Sequence, residues 1–535
     1  MKIKSIKINN FRSVKEVAIT GPLDDVWTFV GQNNAGKSSV IHAIRAFYGE
    51  YDVKIEDFCR ADGFNKPIEV IMEYKLSDDE FSQLPEQYKL SDKTLAVVKR
   101  YTRDFLKGES HGFTKDSQSG EVKEAEEEFF GAKNVAMGKL GTVIYIPAIK
   151  DLGEELKKTK SSLFSKLISR VLTETLTDLP SWNDLIKNTE EFAKDLKSPI
   201  KSTGEFRSVN EIEENLSSRL SGWGLKSQIS ISAPSPEDII LSGAKLRLIS
   251  NETGVEEDPM NLGSGAQRSI VNNLLLLWAE IENKKPKTDK KKFSGEITLL
   301  LYEEPEALLH YDQECKLLRN LEDLSGTDNS QVIICTHSPN LISAKNESLK
   351  CVSRFVKNSG VSVKYSAAES FLSDLKTNAP DFDFVLWLNP DRNTMFFVDK
   401  VVLVEGSSDK AFLNYLTKEN NLDKNSYIVD CGSKTNLPYF MKLCEQFGIN
   451  HSVMFDRDNE KKDKDVDHPA WNKAVADAKN SFTQDIKEFP GNLETYIGFD
   501  TNLPSYKKPP EILRQLKNGK LSTAHNTEFV TFLNN

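Results

Sequence analysis

The sequence has no Cys-x-x-Cys pair, no long apolar run and no basic excess. Its six cysteines, Cys59, Cys315, Cys335, Cys351, Cys431 and Cys444, are scattered, and two of them sit inside apolar, strand-like runs. That usage suits a reducing compartment and excludes a disulfide framework or a thiolate zinc cluster. No apolar stretch approaches the ~20 residues that span a bilayer. The opening Met1-Lys2-Ile3-Lys4-Ser5-Ile6 alternates as a strand does and lacks the apolar core of a signal peptide. A soluble cytoplasmic protein without a membrane partner is expected. The net charge of −10 and pI near 5.5 do not announce a nucleic-acid binder, although a local basic groove can sit on an acidic protein. Long internal repeats and low-complexity domains are also missing. At 535 residues the chain exceeds the size at which one core keeps growing, so two or three domains are expected.

What is there begins with Gly31-Gln32-Asn33-Asn34-Ala35-Gly36-Lys37-Ser38, which fits the phosphate-loop pattern G-x-x-x-x-G-K-[ST]. The apolar run Val26, Trp27, Phe29, Val30 reads as a buried strand before it. Val40, Ile41, Ile44 and Tyr48 recur at helical spacing after it, until Gly49. Backbone N–H groups of Asn33 to Ser39 can close around phosphate oxygens, Lys37 can neutralise the β and γ phosphates, and Ser38 can offer a hydroxyl to Mg2+. ATP is the expected ligand.

Three later segments complete a set. Leu262-Gly263-Ser264-Gly265-Ala266-Gln267 precedes a helix, and its small residues let Ser264 and the Gly265 backbone approach an anion. The strand Ile297 to Tyr302 ends in Glu303-Glu304: Glu303 is assigned to Mg2+ and Glu304 to general-base activation of water. The strand Val332 to Cys335 ends in Thr336-His337-Ser338, where His337 can hydrogen-bond a γ-phosphate.

Between these lie strands near 3–8, 17–19, 67–75, 95–105 and 141–147, and a polar interval, Gly108 to Glu128, read as a loop or hairpin tip. Residues 151–225 carry apolar positions at helical spacing (Leu163, Leu167, Val171, Leu172) and read as a helical insertion. Strand-like runs return at Gln228 to Ile231 and Leu246 to Ile249. Lys284 to Lys292 is a basic connection, and 351–390 a poorly patterned linker. The expected division is 1–150 and 226–350 as two parts of an ATPase head, 151–225 as the insertion, and 391–535 as a second α/β domain.

That second domain offers its own chemistry. Val401 to Val404 is an apolar strand delivering Glu405, with Asp409 four residues on as a helix begins. Tyr427 to Val429 leads to Cys431-Gly432-Ser433-Lys434, and Ser452 to Phe455 ends in Asp456-Arg457-Asp458. Asn492-Leu493-Glu494 adds a carboxylate and Lys507-Lys508 a cation. Carboxylates at the ends of adjacent parallel strands converge and repel, and Mg2+ or Mn2+ relieves the repulsion. Glu405, Asp409, Asp456, Asp458 and Glu494 provide oxygens enough for two metals, which can activate water and stabilise a departing 3′ oxygen. Lys508 can stabilise transition-state charge. Asp463, Asp465 and Asp467 mimic a calcium loop, but His468 stands for its glycine and Ala474 for its terminal glutamate.

The four ordered segments of the first domain resemble the ATPase head shared by ABC transporters, SMC-type proteins and RecF. That resemblance implies closure of one head's signature segment, Ser264 and Gly265, on ATP held by another, hence a homodimer or larger homo-oligomer, with the insertion as a dimerisation element. The second domain is similar to the Toprim domain of topoisomerases, primases and certain nucleases. The pairing resembles the OLD (overcoming lysogenization defect) nuclease family. It implies an α/β architecture, an ABC/SMC-like head followed by Toprim, and ATPase-governed, metal-dependent DNA cleavage in antiphage defence. A defence-system partner, helicase-like or a reverse transcriptase with its RNA–DNA product, is compatible with it. A topoisomerase would need a nucleophilic tyrosine on a further DNA-binding module. The rival reading is a RecF-type ATP-driven clamp with a non-cleaving Toprim domain.

Overall fold

The computed structural model describes residues 1–62, 65–115, 121–128, 140–148, 164–165, 167–169, 180–195, 209–229, 243–251, 253–283, 297–343, 348–387, 389–422, 426–458, 467–499 and 503–534. The chain divides into two compact units, Met1–Ala148 with Ala279–Asn535, and Ile149–Trp278.

The first unit begins with an antiparallel sheet. Strands β1 (Lys2–Phe11) and β2 (Val14–Thr20) pair as a hairpin. The next strand in the chain, β3 (Trp27–Val30), leaves for a second sheet, and β4 (Ile68–Lys75) returns to lie against β1. In β4 the inward residues Ile68, Val70, Met72 and Tyr74 alternate with the half-buried Glu69, Ile71, Glu73 and Lys75, the period of two expected where one sheet face is covered. β5 (Thr94–Thr102), β6 (Phe105–Lys115) and β7 (Val122–Glu128) extend the sheet to six strands. The interval expected as a loop or hairpin tip, 108–128, is therefore largely strand, with Phe113 opposite Glu124 and Thr114 opposite Lys123. Its polarity hides it because most of β6 lies near solvent and offers no buried stripe. Ion pairs help to bind it on, Arg100 reaching Glu69 on β4 and Glu124 on β7.

The second sheet is the nucleotide-site sheet. Joining β3 are β8 (Thr142–Ile146), β11 (Thr298–Glu303), β12 (Ser330–Cys335), β13 (Val352–Asn358) and β14 (Val361–Tyr365). Every pairing is parallel except the edge hairpin of β13 with β14. All residues of β11 and β12 are buried, as central parallel strands require. The helix Lys37–Tyr48 ends on Gly49, whose left-handed conformation caps it.

Residues 351–390 are not an unstructured linker: they form β13, β14 and the helices Glu369–Asn378 and Phe382–Trp387. The pattern was unreadable because Ser353 and Arg354 are buried within β13 and interrupt its apolar run.

The third sheet is parallel throughout: β15 (Lys400–Val404), β16 (Ser426–Asp430), β17 (Asn450–Asp456) and β18 (Thr483–Phe489), in the order β16-β15-β17-β18. The helices Ser407–Glu419, Leu437–Gln446 and His468–Asp477 make the crossovers. One apolar cluster runs from Val30 and Val352 of the nucleotide-site sheet to Val401, Leu403 and Val453 of this one. Arg354 fastens the same junction. Fully buried, it donates to the carbonyls of Phe396 (3.1 Å), Val398 (2.6 Å), Phe447 (2.9 Å) and Gly448 (2.9 Å).

The second unit, Ile149–Trp278, contains the helices Pro180–Asp195 and Val209–Leu220, a short hairpin of β9 (Leu248–Ile249) with β10 (Glu256–Glu257), and most of the helix Ser264–Asn283. Leu163, Val171 and Leu172 lie outside the described residues, as do Lys284 to Lys292, Asp463 and Asp465; Gln228 and Ile229 carry no strand.

Candidate functional sites

The strand β3 ends at Val30, and the chain must turn at once into a helix. Gly31 and Gly36 make this possible: both have positive φ (130° and 108°). A Cβ on Gly31 would collide with the Phe355 carbonyl of β13, and one on Gly36 with the Ser362 hydroxyl of β14. The turn is a cradle opening on a cavity of about 950 Å³ lined by Asn33, Asn34, Ala35, Gly36, Lys37, Ser38 and Ser39, together with Glu303, Glu304 and His337. Nine of the expected nucleotide-site residues and the expected ATPase base, Glu304, therefore share one cavity.

Lys37 folds back across the loop, donating to the carbonyls of Gly31 (2.7 Å) and Gln32 (2.9 Å) and to Nε2 of His337 (3.1 Å). Burial lowers the Lys37 pKa, while Cys335, Glu304, Glu306 and Glu303 oppose the shift. The His337 pKa is likewise lowered, by burial and by the Lys37 charge. Glu303 is buried; one carboxylate oxygen accepts from the Tyr145 hydroxyl (3.1 Å), and Oε1 has no hydrogen-bond partner among the described residues. An orphaned carboxylate oxygen beside a phosphate cradle fits a hydrated divalent cation. Glu304 adopts φ 44° and donates its N–H to the Cys335 carbonyl (2.7 Å), which fixes the strand-end turn.

Other groups here were not anticipated. Glu306 accepts from the Thr336 hydroxyl (2.8 Å) and the His337 N–H (2.6 Å), clamping the end of β12. Arg12, held by Asp57 (2.7 Å) and Tyr51 (2.8 Å), lines the cavity, as do Lys357, Ser359 and Gly360 from the β13–β14 turn. The signal for that turn was Asn358-Ser359-Gly360 ahead of the alternating Val361-Ser362-Val363. Ser264 and Gly265 open the helix Ser264–Asn283 of the other unit, with Ser264 exposed.

At the C-terminal edge of the third sheet, β15 and β17 are adjacent and parallel, so Glu405 and Asp456 leave the sheet side by side. The Asp456 N–H lies 3.4 Å from a Glu405 oxygen. Asp409, in the first turn of Ser407–Glu419, accepts from the Gly406 N–H (3.1 Å). Asp456 accepts from the Leu493 N–H (2.9 Å), which draws in the turn carrying the buried Glu494. Asp458 is buried and Glu494 pairs with Lys508 at 3.1 Å. Lys508 is thus the lysine that reaches the carboxylates, while the ammonium of Lys507 lies over the Tyr506 ring.

The electrostatics report a surplus of negative charge. Burial, then Glu405, Asp458 and Glu494, push Asp456 up to about 8. Burial, then Asp456, Glu405 and Glu494, raise Asp409 well above the usual carboxylate range. Among the described residues no three such side chains stand close enough to hold a metal ion as they are. The expected metal ligands are therefore neighbours without a closed coordination sphere. A hard set of carboxylate oxygens short of positive charge fits divalent cations.

Residues 1–342 match the AAA ATPase domain family model, and residues 396–458 the overcoming lysogenization defect protein-like TOPRIM domain model. The chain belongs to this AAA ATPase family and carries an OLD-like TOPRIM domain. It is similar to the Old nuclease of Escherichia phage P2, 27% identical over 86% of this chain and 77% of the relative. It is also similar to the OLD nuclease of Thermus scotoductus, 23% identical over 85% and 82%, and to endonuclease GajA of Bacillus cereus (strain VD045), 24% identical over 86% and 76%. In this OLD-like chain Glu405, Asp456 and Asp458 fall inside the TOPRIM match, whereas Glu494 and Lys508 lie beyond it and join the site only through the fold. Among the described residues no helix is long and apolar enough to cross a membrane.

Proposed function

We propose that this chain is an ATPase-regulated, divalent-metal-dependent DNA endonuclease serving antiphage defence. The observation that carries the reading is the gathering of Glu405, Asp409, Asp456, Asp458 and Glu494 at one sheet edge, where burial and the neighbouring carboxylates raise the proton affinity of Asp409 and Asp456. Similarity to proteins named as nucleases supports the substrate class.

Glu405, Asp409, Asp456, Asp458 and Glu494 would hold two Mg2+ or Mn2+ ions, which when bound supply an activated water and charge stabilisation of the leaving oxygen. Around them, the Asp456–Leu493 bond fixes where the Asp456 carboxylate faces. Lys508, at the start of Lys508–Lys517, is set by Glu494 to donate to the phosphodiester as negative charge builds on it.

In the head, Lys37 and the N–H groups of Asn33 to Ser39 bind the phosphates of ATP. Glu303 and Ser38 would hold Mg2+, Glu304 would orient water, and His337 would exchange its Lys37 contact for the γ-phosphate. Two copies pair so that Ser264 and Gly265 of one complete the site of the other, with residues 151–225 as the dimerisation element. Regulation has a physical route, because Gln32 of the phosphate loop donates to Asp399 (2.7 Å), immediately before the strand that ends in Glu405.

The test is nicking of a supercoiled plasmid with Mg2+ or Mn2+. Glu405→Ala and Asp456→Ala should each lose at least about a hundredfold in rate, more than an outer-shell change costs. Undiminished cutting by both variants sinks the assignment.

A further inference from the structure

Five carboxylates and Lys508 account for the proposed chemistry, yet a second lysine is buried in the same domain without a task. Lys434 follows Cys431-Gly432-Ser433 beyond β16 and is 2% exposed. Its ammonium donates to the carbonyl of Arg457 (3.2 Å), lies 3.3 Å from Nδ1 of His468, and stands 5.9 Å from the Phe455 ring centre. A buried ammonium is costly unless such partners compensate it, and an apolar side chain would fill the space without that cost. Among its partners, the Arg457 carbonyl belongs to the residue between Asp456 and Asp458.

Both backbone groups of Arg457 are held. The Arg457 N–H donates to the Phe489 carbonyl (2.9 Å), and the Arg457 carbonyl also accepts from Nδ2 of Asn472 (2.9 Å). With two donors on one oxygen, both lone pairs are engaged and the plane of the peptide is fixed. The following residue, Asp458, has φ 50°, a left-handed conformation that most side chains disfavour and that aspartate adopts at less cost. Release of the Arg457 carbonyl would let Asp458 relax toward ordinary backbone angles and swing its carboxylate away from Asp456.

We propose that Lys434 is a positioning residue of the metal site: through the Arg457 carbonyl it holds the Asp-x-Asp turn in the conformation in which Asp456 and Asp458 would present their carboxylates to divalent metal. The proposal rests on the nuclease reading above. Displacements of about 1 Å in such a support are enough to degrade a site.

The experiment is a titration of the full chain with Mn2+ alone, following free Mn2+ by electron paramagnetic resonance, beside thermal melting. Lys434→Met should weaken Mn2+ binding by roughly tenfold or more, as loss of outer-shell support does. Asn472→Ala, which removes the other donor, should weaken it by a smaller factor, and Lys434→Arg should restore most of the affinity. If Lys434→Met does not fold, Lys434→Gln carries the same expectation. Wild-type affinity in the Lys434 variants, with Glu405→Ala deficient, overturns the positioning role and leaves the nuclease reading standing. Lys434→Arg losing affinity and melting temperature together with Lys434→Met also overturns it, because the role is then merely structural. Wild-type protein that binds no Mn2+, or Glu405→Ala that binds it normally, overturns the nuclease reading itself.

Discussion

The two candidate sites are built alike and differ in charge balance. Each sits at the C-terminal edge of a parallel sheet, and each takes carboxylates from strand ends, Glu303 from β11 in one and Glu405 and Asp456 from β15 and β17 in the other. In the head a buried lysine, Lys37, lies among them, and its proton is held less tightly than usual because burial disfavours the charge. In the OLD-like TOPRIM domain the carboxylates predominate and protons are held more tightly than usual. The same topology therefore presents, in one place, a cradle where cations such as Lys37 and Arg12 offset the carboxylates, suited to phosphate with its metal, and in the other an anionic edge suited to metal. Charge balance at the strand ends, rather than fold, separates the two chemistries.

Lys37→Ala breaks the comparison most sharply. It should reduce ATP hydrolysis on the order of a hundredfold, the scale of losing one preorganised donor, while Mn2+ affinity of the TOPRIM site stays as in wild type. Parallel loss of both, read by phosphate release and metal titration, would mean that the two sites are not separable.

Coupling is the next effect in size. Gln32→Ala removes the bond to Asp399 while leaving the lining of the nucleotide cavity in place. Whatever the sign of the ATP effect on plasmid nicking, its magnitude should shrink by about fivefold or more, the low end of ordinary coupling energies. An unchanged ratio of rates with and without ATP would remove Gln32 from the route.

The smallest effect concerns pH. Each region carries a histidine that burial lowers to about 4, His42 in the head and His451 on β17. The Thr483 hydroxyl lies 2.9 Å from Nε2 of His451, and the Nδ1 atom 3.2 Å from the Ile449 carbonyl, so the neutral ring has both nitrogens engaged. An unfolded histidine protonates near 6.5. Above that pH neither state is charged and no penalty exists. Between about 6.5 and 4 the unfolded chain takes up the proton first, and stability falls by on the order of 3 kcal/mol for the fully buried His451. His451→Gln should flatten denaturant-measured stability across that window relative to wild type; an identical slope would refute the buried neutral state.

The strand ends of both sites were legible in the sequence because fully buried parallel strands read as apolar runs and their termini as abrupt polarity. The phosphate loop, Glu303-Glu304, His337, Glu405 and Asp456-Arg457-Asp458 all follow such runs. What escaped was polar residues that only tertiary partners satisfy. Arg354 makes β13 look like a broken connection, although four carbonyls of the following domain solvate it. Losing β13 and β14 meant losing Lys357, Ser359 and Gly360 from the nucleotide cavity. Glu306 and Lys434 were invisible for the same reason: each acts on a backbone group distant in sequence, at His337 and Arg457.

The central claim is that the acidic edge beginning at Glu405 is a divalent-metal site governed by, and distinct from, the nucleotide cradle. Counting bound Mn2+ in the full chain without nucleotide tests it most directly, comparing wild type, Lys37→Ala and the double variant Glu405→Ala/Asp456→Ala. The expected result is two ions per chain in wild type and Lys37→Ala and loss of both in the double variant. Equal binding by all three proteins, or none by any, would contradict it.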